Sequence, residues 1–124
     1  MKKILIVDDS GLARRLVRKM LEELKYEVEE ASSGPQALEA CALNHYDLII
    51  LDLLMSEMYG LEVLQKFKEL NPAMPVIVAS ADIQRTTRDQ VKNAGASAMI
   101  NKPVNKEELA ELLDLALKGE MSWN

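Results

Sequence analysis

The chain has 124 residues, 48% of them hydrophobic and 28% charged, and a net charge of −5. That length suits one domain with one core, and the acidic balance argues against nucleic acid or an anionic membrane as main partner, because both attract basic surfaces. A lone cysteine, Cys41, excludes an internal disulfide and fits a reducing, cytoplasmic compartment.

The chain opens on ILIV at 4–7, a continuous apolar run that reads as a strand buried on both faces. Asp8 and Asp9 follow at once. Adjacent carboxylates repel by on the order of 4 kcal/mol at about 4 Å and an effective dielectric near 20, so the pair invites a cation. The run is too short, and ends too soon in acids, to make Lys2-Lys3 the start of a signal peptide. Ala13, Leu16, Val17, Met20, Leu21 and Leu24 recur at helical spacing and predict a first helix that buries this stripe. Asp9 or Ser10 suits its N-cap. YEVEEA at 26–31 alternates like an edge strand. Gly34-Pro35 opens a second helix with Ala37, Leu38 and Cys41 inward, Cys41 reading as a small core residue. His45 is solitary and reads as a loop residue, not a ligand.

LIIL at 48–51 is a second buried strand, and Asp52 follows it. Glu57 and Tyr59 lie in the loop behind, as solvated residues. Leu61, Leu64, Phe67 and Leu70 predict a third helix that stops before Asn71-Pro72. VIVA at 76–79 is the third buried strand, and Ser80 follows it. A mostly polar helix runs from about Ile83 to Asn93, with Ile83, Val91 and Ala94 as thin support and Gly95 as its stop. Arg85, Arg88 and Lys92 make it basic. SAMI at 97–100 predicts the last strand, followed by Asn101, Lys102 and Pro103. Leu109, Leu112, Leu113 and Ala116 predict a fifth helix, with Glu107 and Glu108 in the first turn, where the helix dipole favours acids. GEMSWN at 119–124 reads as a frayed end unless Trp123 packs down. No run approaches the roughly 18 apolar residues of a membrane span.

Five strand–helix units in alternation imply parallel pairing and right-handed crossovers. The expected fold is a single open, doubly wound α/β domain over 1–119, with 120–124 as a tail and no effector domain. Ligands of such sheets bind beyond the carboxyl ends of the strands. Four of the five strands deliver polar groups to that rim: Asp8 and Asp9, Asp52, Ser80, and Lys102. Three carboxylates in one place are hard to keep ionised together. A divalent cation offsets two charges and Lys102 a third, and hard oxygen ligands suit Mg2+. A carboxylate so placed can accept a phosphoryl group whose charge the metal, the ammonium and a serine hydroxyl would stabilise. Asp52, alone at the end of an interior strand, is the natural nucleophile.

Together ILIVDDS, LIILDLLM with Gly60 behind it, VIVASA and NKP make the chain resemble the receiver domain of bacterial two-component response regulators, of the stand-alone, chemotaxis-regulator type. The resemblance covers nearly the whole chain. It implies a flavodoxin-like five-stranded sheet of order 2-1-3-4-5. It implies that Asp52 is the phosphorylated aspartate. Asp9 and Asp52 would be direct Mg2+ ligands, with the backbone carbonyl of Leu54 as a third, and Asp8 would hold a metal-bound water. Ser80 matches the switch hydroxyl and Lys102 the family lysine. The Lys102-Pro103 bond matches one often cis in the family. Leu54 and Asp82 match positions that tune phosphoryl lifetime, and Leu54 is expected to shield the acyl phosphate from water.

The chain departs from the family at Met55-Ser56, where Met-Pro is common, and at Met99, where a rotating Tyr or Phe is usual. The partners implied are a sensor histidine kinase or phosphotransfer protein, a downstream protein docking on the fourth helix, fifth strand and fifth helix, and a phosphatase. Neither DNA nor membrane is expected to bind directly. The domain would catalyse only its own modification. The competing reading is a small phosphatase-like enzyme with an aspartate nucleophile. Its usual Asp-x-Asp pattern is not met, because Ser10 stands at the third position.

Overall fold

The computed structural model describes residues 1–55, 59–82 and 84–123. In chain order its elements are β1 (Lys3–Val7), α1 (Gly11–Glu23), β2 (Glu27–Ala31), α2 (Gly34–Leu43), β3 (Leu48–Asp52), α3 (Gly60–Leu70), β4 (Val76–Ser80), α4 (Arg85–Asn93), β5 (Ala98–Asn101) and α5 (Lys106–Leu117). The strands form one parallel sheet in the order β2-β1-β3-β4-β5. Strand order reverses between β1 and β3, and right-handed crossovers then place helices on opposite faces.

The continuous apolar strands supply both faces. Leu5, Val7, Ile49, Leu51, Val76 and Val78 point to one core, closed by Ala37, Val63, Leu64, Phe67 and Val91 of α2, α3 and α4. Ile4, Ile6, Leu48, Ile50 and Ile77 point to the other, closed by Val17 and Leu21 of α1 and Leu109, Leu113 and Ala116 of α5. The alternation follows from the period of two along a strand. β2 is the charged edge, where Glu29 is held by Lys3 and by the Tyr46 hydroxyl. Charge on an edge strand discourages pairing with another chain.

Helix starts follow their side chains. The Ser10 hydroxyl accepts from Ala13 N–H at the head of α1, Ser33 caps α2 with Pro35 in its first turn, and Asn105 caps α5. Between the two cap residues considered for α1, the geometry selects Ser10.

Several expectations shift. Leu16 lies outside the buried stripe of α1 at 54% exposure, and Leu12 beside it at 64%. Leu70 likewise points outward at the end of α3. Cys41 is only partly buried, although it packs against the core, and burial pushes its thiol up to about 11. The fourth helix begins at Arg85, and Ile83 and Ser56–Met58 fall outside the described residues. The last strand takes in Asn101. Through Trp123 the stretch after α5 does not fray: Ser122 N–H donates to Ser97 O at 2.8 Å, and Trp123 packs against the first core, while Asn124 falls outside the described residues. Among the described residues no helix is long and apolar enough to cross a membrane.

Candidate phosphoryl and metal site

β1, β3 and β4 lie side by side and end together, which gathers their C-terminal residues at the switch point. Ladder register places Val7 beside Leu51 and Asp52 beside Ala79. Asp8, one residue past β1, therefore stands next to Asp52, and Ser80 is one residue beyond Ala79 on the same rim. Ser80 pairs in turn with Asn101, just before Lys102, whose N–H donates to Ser80 O at 2.9 Å.

The carboxylates converge. Asp8, Asp9 and Asp52 each offer an oxygen within 4.8 Å of the others, with Asp8 and Asp52 buried and Asp9 exposed. Lys102 Nζ donates to Asp8 Oδ2 at 2.8 Å and pairs with Asp52 Oδ1 at 2.9 Å. Asp8 is further held by Ser10 N–H on its Oδ1 at 2.9 Å. All five residues singled out in the sequence thus belong to one rim, and four of them form one cluster of charge.

Their electrostatics follow from burial. Removal from water raises the Asp52 carboxyl above the ordinary carboxylate range, and Asp8 and Asp9 add to this against the opposing bond from Lys102. Burial works against the Lys102 charge, yet its bonds to Asp8 and Asp52 more than offset it, so the ammonium is held above its usual range. Lys102 is shared by Asp8 and Asp52. A donor set of three carboxylates, part exposed, fits a hard divalent cation that keeps some of its waters.

Three residues support the site in ways that local sequence pattern does not spell out. Arg14 on α1 donates to the Asp8 backbone carbonyl at 2.6 Å while its Nε bonds Glu30 at 2.9 Å, which fixes the end of β1 against β2. No local pattern marks an arginine for a partner sixteen residues on. Gly60 starts α3 hard against the acceptor strand: a Cβ there would come within 2.6 Å of Asp52 O and of Leu53 Cα. Gly60 N–H donates to Leu53 O at 2.8 Å, which explains the glycine behind LIILDLLM. Asp82 accepts from Gln84 N–H at 2.9 Å and from the Thr87 hydroxyl at 2.7 Å, and so caps α4, whose Gln84 makes no side-chain cap bond. An acid ahead of a helix was the available signal. Leu54 is 56% exposed at the rim, and the Lys102-Pro103 bond is cis.

The model of the response regulator receiver domain matches residues 4–114. The chain belongs to that family. This receiver domain is 38% identical over 120 residues to the transcriptional regulatory protein SrrA of Staphylococcus aureus, a match covering 97% of this chain and 49% of that protein. It is 36% identical over 106 residues to the sensor protein EvgS of Escherichia coli K12, covering 86% of this chain and 9% of that one. The receiver domain thus spans about half the length of one curated relative and about a tenth of the other. A CheY-like response regulator receiver domain from Methanospirillum hungatei superposes with a TM-score of 0.90 at 33% identity, covering 95% of this chain and 94% of that one. The response regulator TrrA of Thermotoga maritima, solved in complex with Mg2+-BeF, superposes with a TM-score of 0.85 at 32% identity, covering 94% and 99%. As a receiver domain the chain is a component of two-component signalling.

Proposed function

We propose that this receiver domain accepts a phosphoryl group on Asp52 from a histidine kinase or phosphotransfer protein, or from a small acyl phosphate, with Mg2+ at Asp8, Asp9 and Asp52. The observation that carries the reading is the convergence of three carboxylate oxygens within 4.8 Å, two of them on buried residues that share the Lys102 ammonium.

Asp9 and Asp52 would hold the metal directly, with the Leu54 carbonyl, and Asp8 would hold one of its waters. Bound there, the ion supplies positive charge against the carboxylates and the transferring oxygens. The chain's own residues do the rest. A carboxylate oxygen of Asp52 forms the new P–O bond as the donor's P–N bond breaks, and the electron pair of that bond leaves on the imidazole nitrogen, which takes a proton from solvent. Lys102 releases Asp52 to the incoming group and stabilises charge on it, and the Ser80 hydroxyl donates to one of its oxygens. Water later cleaves the acyl phosphate. The exposed Leu54 side chain limits that water's approach, so Leu54→Asn should shorten the phosphoryl lifetime.

The reaction ends on the protein itself, so the output is a change of binding surface, with a protein target at α4, β5 and α5, rather than turnover of a substrate. The surface beside the site suits a protein donor. Leu12 and Leu16 are exposed on α1 and line, with Met20, Pro103 and Val104, an apolar hollow that opens next to Asp8 and Lys102. Intact mass after incubation with acetyl phosphate and Mg2+ tests the proposal. One added phosphoryl, absent in Asp52→Asn, is expected; no addition from acetyl phosphate or from any kinase would overturn it. Sustained turnover of simple phosphate esters would favour the phosphatase-like alternative.

A further inference from the structure

Ser80, on the same rim as Asp52, is linked to α4 through contacts that lead toward the chain's single tryptophan. Ser80 Oγ accepts from Asp82 N–H at 3.0 Å, and the Asp82 carboxylate holds both Gln84 N–H and the Thr87 hydroxyl. Thr87 is one of two buried residues of α4, the other being Val91, so little apolar packing fixes this helix. Few buried contacts make an element easy to shift. What it lacks beneath, it receives from the segment after α5. Trp123 Nε1 donates to Ala96 O at 3.1 Å, its ring packs on the first core, and the Arg88 guanidinium of α4 lies 5.5 Å from the ring centroid. Ser122 N–H bonds Ser97 O just before β5. Lys118 ends α5 and Gly119 takes a positive φ of 85°, which turns the chain back toward α4.

We propose that the segment Glu120–Trp123 is a latch on α4, and that phosphorylation of Asp52 releases it through Ser80, Asp82 and Thr87. This rests on the phosphoryl-acceptor reading of the site. In the latched arrangement the Ser80 oxygen is engaged by Asp82. Turning that hydroxyl toward a phosphoryl group on Asp52 weakens its hold on the Asp82 loop. The Asp82–Thr87 bond transmits the change to the start of α4, and Arg88, one residue on, shifts from the Trp123 ring. The device also answers how this domain reads out phosphorylation with methionine at position 99: the aromatic reporter is Trp123, which packs on the same core as Met99.

Coupling between two sites is reciprocal, so a latch that phosphorylation opens must itself oppose phosphorylation. Three measurements on the full chain test this. Fluorescence excited beyond the tyrosine absorption band reports Trp123, the single tryptophan, and should change when beryllofluoride and Mg2+ are added to wild type, but not to Asp52→Asn. Trp123→Ala should tighten beryllofluoride binding, followed by backbone amide NMR, by roughly threefold to tenfold, the scale of a partly exposed cation–π contact plus a hydrogen bond. Trp123→Phe, which keeps a ring and loses the N–H, should fall between them. It also keeps the comparison alive if the alanine variant folds poorly. Phosphoryl gain by mass with silent fluorescence and unchanged affinity in both variants would overturn the latch and leave the acceptor reading standing. Weaker binding in Trp123→Ala would reverse the latch's direction and overturn it. No phosphoryl gain from any donor would overturn the acceptor reading itself.

Discussion

Asp52 carries its charge against its surroundings. Burial and the neighbouring acids raise its pKa in the fold despite the Lys102 bond. A raised carboxyl pKa means the folded chain binds that proton more tightly than the unfolded chain does. The resulting stabilisation is complete below the unfolded value and is lost as pH rises through the folded one. At neutral pH the ionised Asp52 therefore costs stability, as residues kept for reactivity commonly do. Asp52→Asn should raise the melting midpoint at pH 7 by a few degrees, about 1 kcal/mol. The gain should shrink as pH falls through the raised folded-state value and vanish below the unfolded value of about 4, where the wild-type carboxyl is protonated in both states. Calorimetry across this range checks it; a lower midpoint for Asp52→Asn at pH 7 would mean that the Lys102 pair outweighs burial.

Helix ends decide how rigidly the site is framed. Ser10 is exposed and caps α1, while Asp8 and Asp9 before it remain in the carboxylate cluster. Ser10→Ala should cost about 1 kcal/mol of unfolding free energy in urea. Its effect on Mg2+ affinity should be small, because the removed hydroxyl bonds Ala13 and not an acid. At α3 the constraint is steric. A methyl at Gly60 meets backbone of Asp52 and Leu53, which cannot swing away as a side-chain tip could. Gly60→Ala should destabilise by roughly 1–3 kcal/mol and slow acetyl-phosphate labelling, because the strand carrying Asp52 must shift. Normal labelling with a lowered midpoint would place the strain away from the carboxylate.

Across the whole molecule, Mg2+ held at the three carboxylates would couple folding to metal. A ligand that binds only the folded chain stabilises it by about 2.7 kcal/mol at a hundred times its Kd, and here it also relieves repulsion among Asp8, Asp9 and Asp52. The wild-type melting midpoint should rise by several degrees on going from EDTA to saturating Mg2+. Asp9→Ala should lose more of that rise than Asp8→Ala, since Asp9 is proposed to touch the metal and Asp8 to hold one of its waters. Equal losses in the two variants would undo the assignment of Asp9 as the direct ligand.

The strands, their order in the chain and the residues at their carboxyl ends were legible because each is written in consecutive positions: ILIV then Asp8, LIIL then Asp52, VIVA then Ser80. Burial on both faces demands unbroken apolar runs, and parallel pairing then sends every strand end to one rim, so residues far apart in sequence meet. The sequence by itself therefore determined the architecture and the membership of the candidate site. Tertiary structure alone decided what depends on distance between elements. Leu16 has helical spacing yet faces solvent, because the stripe of α1 is wider than the contact its sheet face offers. Arg14 meets Glu30 of β2 only once β1 and β2 are paired. Asp82 was visible as a loop acid, but its grip on Thr87 exists only when α4 turns back over β4. Trp123 ends a polar stretch with no periodicity, and its place on α4 is set by the turn at Gly119 and by a carbonyl at Ala96 that only the folded chain presents.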